Sequence, residues 1–169
     1  MFFQWEGGTM PVKVFISHKK EDTEQAAAIA AYLKSNGLFV YLDVIDSQLA
    51  KTGPDLADYI RGQLDQCTQL LAVISARTQA SWWVPWEIGV ATEKERFLAS
   101  FVSGGATVPE FLVKWPYLRT QADLDKYIAE SRRAELLVES RLQKGQGATA
   151  RAQGFRSFHT SLKASLGQP

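Results

Sequence analysis

The sequence Leu70-Leu71-Ala72-Val73-Ile74 is apolar at every one of its positions. A strand of this composition is buried on both faces, as the strands of parallel sheets are. Earlier runs of similar character occur at residues 12–16 and 38–42, and a further one follows at residues 97–102. All are short and rich in β-branched, aromatic or aliphatic side chains, so the sequence predicts four β-strands.

Helical segments are predicted between and after these strands, at residues 22–35, 53–67, 81–95 and 122–142. Asp22 is expected to cap the first helix, with Gln25 as its partner in a capping box. Strands that alternate with helices of this length indicate repeated βαβ units. We therefore predict an α/β fold, a flavodoxin-like three-layer sandwich with a central parallel sheet of four to five strands and helices on both faces.

The composition excludes several classes of protein. Nineteen basic and 18 acidic residues give 169 residues a net charge of +1, which argues against a nucleic-acid-binding protein. With one cysteine and two histidines, neither a Cys/His zinc site nor a disulfide framework can be built. We expect no cofactor, no metal and no contact with a membrane. The start of the sequence lacks the pattern of a signal peptide, so a cytoplasmic location is expected.

Polar side chains are predicted to meet at one edge of the sheet. Parallel α/β sheets bind ligands at the carboxyl ends of their strands. The first strand leads into Ser17, His18 and Lys19, and the second leads into Asp43. The third ends at Ser75 and precedes the helix that carries the tryptophans and Glu87. Hydroxyl, cationic, carboxylate and aromatic groups should thus converge at this edge.

The segment Ser81-Trp82-Trp83-Val84-Pro85-Trp86-Glu87 holds three of the five tryptophans. Trp83 and Glu87 are four positions apart and should share a helix face. One interpretation is a hydrophobic corner with a solvated Glu87. The other is an aromatic wall beside a single working carboxylate at an exposed pocket edge.

Common nucleotide and hydrolase motifs are absent from the sequence. It contains no GxxxxGK[ST] phosphate loop and no GxGxxG after the first strand. It also lacks a GxSxG nucleophile elbow. Cys67 lies on the apolar stripe of the second helix and is interpreted as a small core residue rather than a reactive thiol.

Residues 13–23 resemble the opening motif of a TIR (Toll/interleukin-1 receptor) domain of the plant and bacterial form. Residues 37–43 resemble the second strand of this family, and residues 55–64 and 71–75 resemble its next helix and third strand. Residues 81–87 resemble the Ser-x-Trp-x-x-x-Glu segment that contains the catalytic glutamate of the family. The likeness covers residues 12–91 in the correct order and fades after about residue 105.

The resemblance implies cleavage of NAD⁺, as substrate, at the nicotinamide–ribose bond. Carried over by position, Glu87 is the catalytic carboxylate and Trp83 is the aromatic residue one turn before it. Ser17, His18 and Lys19 line the nucleotide site, and Asp43 ends the second strand beside it. Val84-Pro85-Trp86 replaces the small residues usual in this segment and places Trp86 among the candidate NAD⁺-binding residues.

A single carboxylate suffices for this reaction. Ordinary glycosidases use two carboxyl groups, one of which protonates the leaving oxygen. Nicotinamide departs from NAD⁺ as a neutral molecule and needs no general acid. Two alternatives remain open: an enzyme similar to the nucleoside deoxyribosyltransferases, which also cut N-glycosidic bonds, and a non-enzymatic adaptor that assembles through contacts between TIR domains.

The resemblance also implies partners and a division of the chain. The chain is similar to the TIR subunit of Thoeris antiphage systems, which makes a cyclic ADP-ribose-type signal for a separate effector. We expect self-association through TIR–TIR contacts, with the loop at residues 44–53 against a neighbouring subunit. The predicted parts are an N-terminal appendage (1–10), the TIR domain (11–135) and a C-terminal helical extension with a basic tail (136–169). We expect that tail to be a surface helix with a frayed end, or a docking or anion-binding arm.

Overall fold

The computed structural model describes residues 11–42, 53–77 and 83–169 of the chain. Strands and helices follow one another in the order β1 Lys13–Ser17, α1 Thr23–Ser35, β2 Phe39–Leu42, α2 Gly53–Asp65, β3 Gln69–Ile74, α3 Trp83–Glu93, β4 Phe97–Val102, β5 Tyr117–Leu118, α4 Gln121–Gln143 and α5 Gly147–Ser165. Short 3-10 turns occur at Lys20–Asp22 and Glu110–Leu112.

The five strands form one parallel sheet in the order β2-β1-β3-β4-β5. β1 lies between β2 and β3, with Ile16 opposite Leu42 on one side and Leu71 on the other. Every residue of β3 and β4 is buried, including the polar Gln69 and Ser100, and the apolar run at residues 70–74 predicted this for most of β3. The predicted α/β class and the four longer strands are confirmed.

Two hydrophobic clusters pack on opposite faces of this sheet. Successive side chains of a strand point to opposite faces, so Val14 and Ile16 join one cluster and Phe15 joins the other. α1, α4 and α5 cover the first face, whereas α2 and α3 cover the second. The result is the predicted three-layer arrangement with helices on both sides.

β5 is an element that the sequence did not predict. The sequence predicts neither a strand nor a helix at residues 103–121. The structure instead pairs Tyr117 and Leu118 with Ser100 and Phe101 of β4. Two residues are too few to give a recognisable hydrophobic pattern.

The start of α1 differs from the predicted capping box. Asp22 occupies the N-cap position, but its side chain makes no capping hydrogen bond. The 3-10 turn at Lys20–Asp22 leads directly into the helix, and the carboxylate of Asp22 accepts a hydrogen bond from Ser75 instead. The prediction of a capping box at Asp22 is therefore wrong.

α5 is not the surface helix expected from the sequence. It buries Phe158 and Leu162 completely, and Phe158 stacks on Phe97 of β4 with ring centroids 4.8 Å apart. Gln168 accepts a hydrogen bond from the backbone N–H of Tyr117 and donates another to its carbonyl, so the expected frayed end is wrong too.

The predicted division of the chain stays a prediction. α4 runs without a break across the expected boundary at residues 135–136. Residues 1–10, expected to be an appendage, lie outside the described residues. Among the helices that the structure describes, none is long and apolar enough to cross a membrane.

Candidate functional site

The central contact of the site joins the end of β1 to α3. The hydroxyl of Ser17 donates a hydrogen bond to Oε2 of Glu87, and both residues have 0% of their surface exposed. Ser17 is the last residue of β1, and Glu87 lies one turn into α3. The structure thus brings together two of the residues predicted to form the site, from parts of the chain 70 positions apart.

Packing of α3 explains why Glu87 faces inward. Val84, Ile88 and Ala91 are buried in the cluster on the α2/α3 side of the sheet. Helical spacing carries Glu87 with this buried face onto the carboxyl edge of the sheet. The interpretation of Glu87 as a solvated residue, and as one at an exposed pocket edge, is therefore wrong. A buried carboxylate costs free energy unless it is hydrogen-bonded, and Ser17 provides such a bond.

His18 and Lys19 continue the chain directly beyond Ser17. His18 is buried, with 5% of its surface exposed. Lys19 is partly exposed, and its ammonium group donates to the carbonyl of Arg77 at 3.1 Å and lies 3.4 Å from the carboxylate of Glu21. A hydrogen bond from its own backbone lowers the pKa of Glu21, and the nearby charges of Lys19 and Arg77 lower that pKa further.

A second hydrogen bond spans the same edge of the sheet. Oγ of Ser75, just after β3, donates to the carboxylate of Asp22 at 2.8 Å. The same oxygen accepts the backbone N–H of Arg77 at 3.1 Å. Sequence reasoning placed Ser75 at this edge but assigned Asp22 to the helix cap. The pairing of residues 53 positions apart could not be read from one sequence.

The remaining predicted site residues have different outcomes. Asp43 lies outside the described residues. Trp83 begins α3, as expected for a residue one turn before Glu87, and its side chain is not among those described. Trp86 is half-buried and packs against the hydrophobic cluster on the α2/α3 side of the sheet. The proposed roles of these three residues in binding NAD⁺ stay predictions.

Two further observations concern possible metal ligands and the single cysteine. Within residues 11–42, 53–77 and 83–169, no three His, Cys, Asp or Glu side chains lie close enough together to hold a metal ion. Cys67 is buried, and burial raises the pKa of its thiol to about 11. A thiol of this kind stays protonated near neutral pH and is a poor nucleophile. Its interpretation as a core residue is confirmed.

The fold and the site together define a flavodoxin-like α/β domain with a buried glutamate at the carboxyl edge of its sheet. The model of the TIR domain family matches residues 14–137. The chain belongs to the TIR domain family.

One curated relative matches this chain over part of its length. Over 79 residues, 45% of this chain, it is 33% identical to a probable 3' cyclic ADP-D-ribose synthase, ThsB', of Bacillus cereus strain MSX-D12. The match spans 41% of the length of that protein.

Two solved structures are similar at low sequence identity. A 2-deoxyribosyltransferase from Bacillus psychrosaccharolyticus is 12% identical, with a TM-score of 0.50 over 68% of this chain and 90% of the other. The TIR domains of the activated Roq1 resistosome are 15% identical, with a TM-score of 0.45 over 90% of this chain and 84% of the other.

Proposed function

We propose that this protein cleaves NAD⁺ at the nicotinamide–ribose bond, with Glu87 as the catalytic carboxylate. The observation that carries the proposal is the buried hydrogen bond between Ser17 and Glu87 at the carboxyl edge of the parallel sheet. Membership of the TIR family supports it, as does the partial match to a probable cyclic ADP-D-ribose synthase.

The arrangement suits a dissociative reaction. As the nicotinamide leaves, positive charge develops on the ribose, and a carboxylate held in a dry site stabilises that charge more strongly than it would in water. Ser17 holds Glu87 in a fixed orientation, so little reorganisation is needed when the charge develops. The leaving group takes its electron pair and departs neutral, which removes the need for a second carboxyl group as acid.

The other predicted site residues complete the substrate site in this proposal. His18 and Lys19 follow Ser17 and lie beside the dinucleotide, Asp43 lies at the end of β2, and Trp83 and Trp86 form the aromatic wall that stacks with the nicotinamide. For the substrate to reach Glu87, the carboxylate has to become accessible from its present buried position. We assign no cofactor to the reaction.

The fate of the ribose divides hydrolysis from cyclisation. Capture by water gives ADP-ribose, whereas capture by another group of the same molecule gives a cyclic ADP-ribose-type signal. The name of the Bacillus cereus relative favours cyclisation. We further propose a role in antiphage defence, with a separate effector that responds to the product and with self-association through TIR–TIR contacts.

Two alternatives are weaker. The likeness to a 2-deoxyribosyltransferase, at 12% identity, concerns the fold alone. Glu87, with Trp83 one turn before it, argues against a non-enzymatic adaptor, because contacts between TIR domains require neither residue.

The test is incubation of the purified protein with NAD⁺, with and without phage lysate, and mass spectrometry of the products. Wild type should release nicotinamide together with ADP-ribose or a cyclic isomer. Glu87→Gln keeps the size and an accepting oxygen but removes the charge, and should lower turnover by about a hundredfold or more. Glu93→Gln, at the exposed end of the same helix, is the matched control and should behave as wild type. A folded Glu87→Gln protein with wild-type turnover would show that Glu87 is not catalytic.

A further inference from the structure

Asp22 is a buried carboxylate that the reaction proposed above does not use. Only 7% of its surface is exposed, and it makes no capping hydrogen bond to α1. Its partner is Oγ of Ser75, 2.8 Å away. Burying a carboxylate lowers stability unless hydrogen bonds compensate. Because Asp22 does not cap α1, its position before the helix does not explain why its side chain is buried.

The Asp22–Ser75 contact belongs to a set of bonds between the segment after β1 and the segment after β3. Lys19 donates to the carbonyl of Arg77 at 3.1 Å, and the guanidinium of Arg77 donates to the carbonyl of Glu21 at 3.4 Å. We name these three contacts the β1–β3 bridge. The contacts of Arg77 are exposed, whereas the one between Asp22 and Ser75 is partly buried.

The three bonds of the β1–β3 bridge differ in burial, and burial determines which of them stabilises the bridge most. A hydrogen bond to a charged group stabilises a fold more than one between neutral groups, and burial protects it from competition with water. The two exposed bonds run from charged side chains to backbone carbonyls, where water competes for donor and acceptor, so each contributes less to the stability of the bridge. The Asp22–Ser75 bond is therefore the main fixed point of the β1–β3 bridge.

The same short segment reaches from Asp22 back to Ser17. Ser17 donates to Glu87 at one end of this segment, and Asp22 accepts from Ser75 at the other. Both bonds cross from the β1 side of the site to residues that follow β3. Loss of the Asp22–Ser75 bond would let the far end of residues 17–22 move. Ser17 would then no longer be held in its orientation towards Glu87.

We propose that Asp22 is a positioning residue: by accepting the hydroxyl of Ser75 it holds residues 17–22 where Ser17 orients Glu87. Asp22 itself does not touch the substrate. This inference rests on the proposed function for its kinetic consequence, and on the geometry alone for its structural consequence.

The kinetic experiment compares Asp22→Ala, Asp22→Asn and Ser75→Ala with wild type, at a temperature at which all four are folded. A small displacement of a catalytic group is enough to slow a reaction by about tenfold to a hundredfold. We expect kcat of Asp22→Ala to fall by about tenfold or more, with KM for NAD⁺ within about threefold of wild type. Asp22→Asn keeps an oxygen acceptor for Ser75 and should recover kcat to within about threefold of wild type.

A control for the loss of an aspartate acceptor lies outside the site, in an exposed contact between α1 and α4. Asp125 also accepts a hydroxyl hydrogen bond between two elements, from Tyr32 of α1 to α4. Asp125→Ala removes the same type of contact outside the site and should leave kcat and KM unchanged.

Hydrogen exchange gives a readout that is independent of catalysis. Asp22→Ala should speed amide exchange in residues 17–22 and in α3, whereas Asp125→Ala should not. If wild type does not cleave NAD⁺ the proposed function fails, and the exchange experiment still tests the β1–β3 bridge. Asp22→Ala with wild-type kcat and unchanged exchange overturns the proposal, and so does Asp22→Asn as impaired as Asp22→Ala. Should Asp22→Ala not fold, Ser75→Ala and Asp22→Asn make the same comparison.

Discussion

Nε2 of His159 lies 3.0 Å from the carbonyl oxygen and 3.1 Å from the backbone nitrogen of Leu98. Leu98 is in β4 beyond the reach of the short β5, which pairs with Ser100 and Phe101 only. A side chain from α5 therefore takes the place of the strand that is missing there.

Stability should fall in acid because of this histidine. Burial lowers the pKa of His159 to about 4 from an ordinary 6.5, so the neutral ring is favoured in the folded state. The unfolded chain takes up the proton first as the pH falls. The free energy of unfolding that His159 contributes is fully present above pH 6.5. It decreases by about 3 kcal/mol as the pH falls to 4. Urea unfolding at pH 7 and pH 4 measures the loss.

His159→Gln is the comparison for this pH effect. It should be less stable than wild type at pH 7 and should lose less stability between pH 7 and pH 4. An equal loss in both proteins would assign the acid sensitivity to other groups.

Gly154 should not tolerate a side chain. A Cβ atom built there overlaps Cγ2 of Val138 and lies 3.4 Å from Cζ of Phe97. Overpacking of this kind costs about 1–3 kcal/mol, so Gly154→Ala should lower the midpoint of urea unfolding. Gly62 in α2 has open space around it, and Gly62→Ala should raise stability by up to about 1 kcal/mol. Val138→Ala combined with Gly154→Ala should recover part of the loss, and failure to recover any would show that Val138 is not the obstacle.

Removal of the Ser17 hydroxyl should slow the reaction without preventing folding. Ser17→Ala takes away the hydrogen bond to Glu87, and a bond to a charged group contributes about 1.5–3 kcal/mol. We expect kcat/KM for NAD⁺ to fall by about tenfold or more. Ser35, at the exposed end of α1, is the control, since Ser35→Ala should leave turnover unchanged. Wild-type kinetics in Ser17→Ala would remove Ser17 from the site.

Specific activity should rise with protein concentration. The resemblance to TIR enzymes predicts that the loop at residues 44–53 contacts a neighbouring subunit, and these residues, apart from Gly53 at the start of α2, lie outside the described part of the chain. A head-to-tail contact does not close on itself and can build open assemblies. Ser47→Arg should flatten the rise in activity. Turnover per molecule that stays constant from nanomolar to high micromolar protein would indicate a self-sufficient monomer.

Sequence reasoning succeeded where the physical signal was local. The continuous apolar strands specified the parallel sheet, and the position of Glu87 after the third strand placed it at the correct edge. Its burial was missed, because that depends on how α3 packs. The contact of Asp22 with Ser75 was missed because nothing in one sequence marks a pair 53 positions apart.

The burial of α5 could have been predicted. Ala150, Gly154, Phe158 and Leu162 recur at every fourth position and all four are buried. The basic residues spread through the same segment led instead to the prediction of a surface helix, or of a docking or anion-binding arm. One of them, Arg151, pairs with the nearly buried Glu135 of α4, 3.3 Å away.

The place of α5 in the core has a practical meaning for anyone who moves this domain into another protein. The family match ends at residue 137, ten residues before α5 begins. Phe158 and Leu162 are fully buried, and burial of each side chain contributes about 1.5–3 kcal/mol to stability. That is a large part of the free energy of unfolding of a typical domain, which is about 5–15 kcal/mol. A transplant cut at the family boundary would leave the rings of Phe97 and Tyr127 uncovered and β4 without its histidine. The transferable unit therefore extends through Gln168, well past the part that homology recognises.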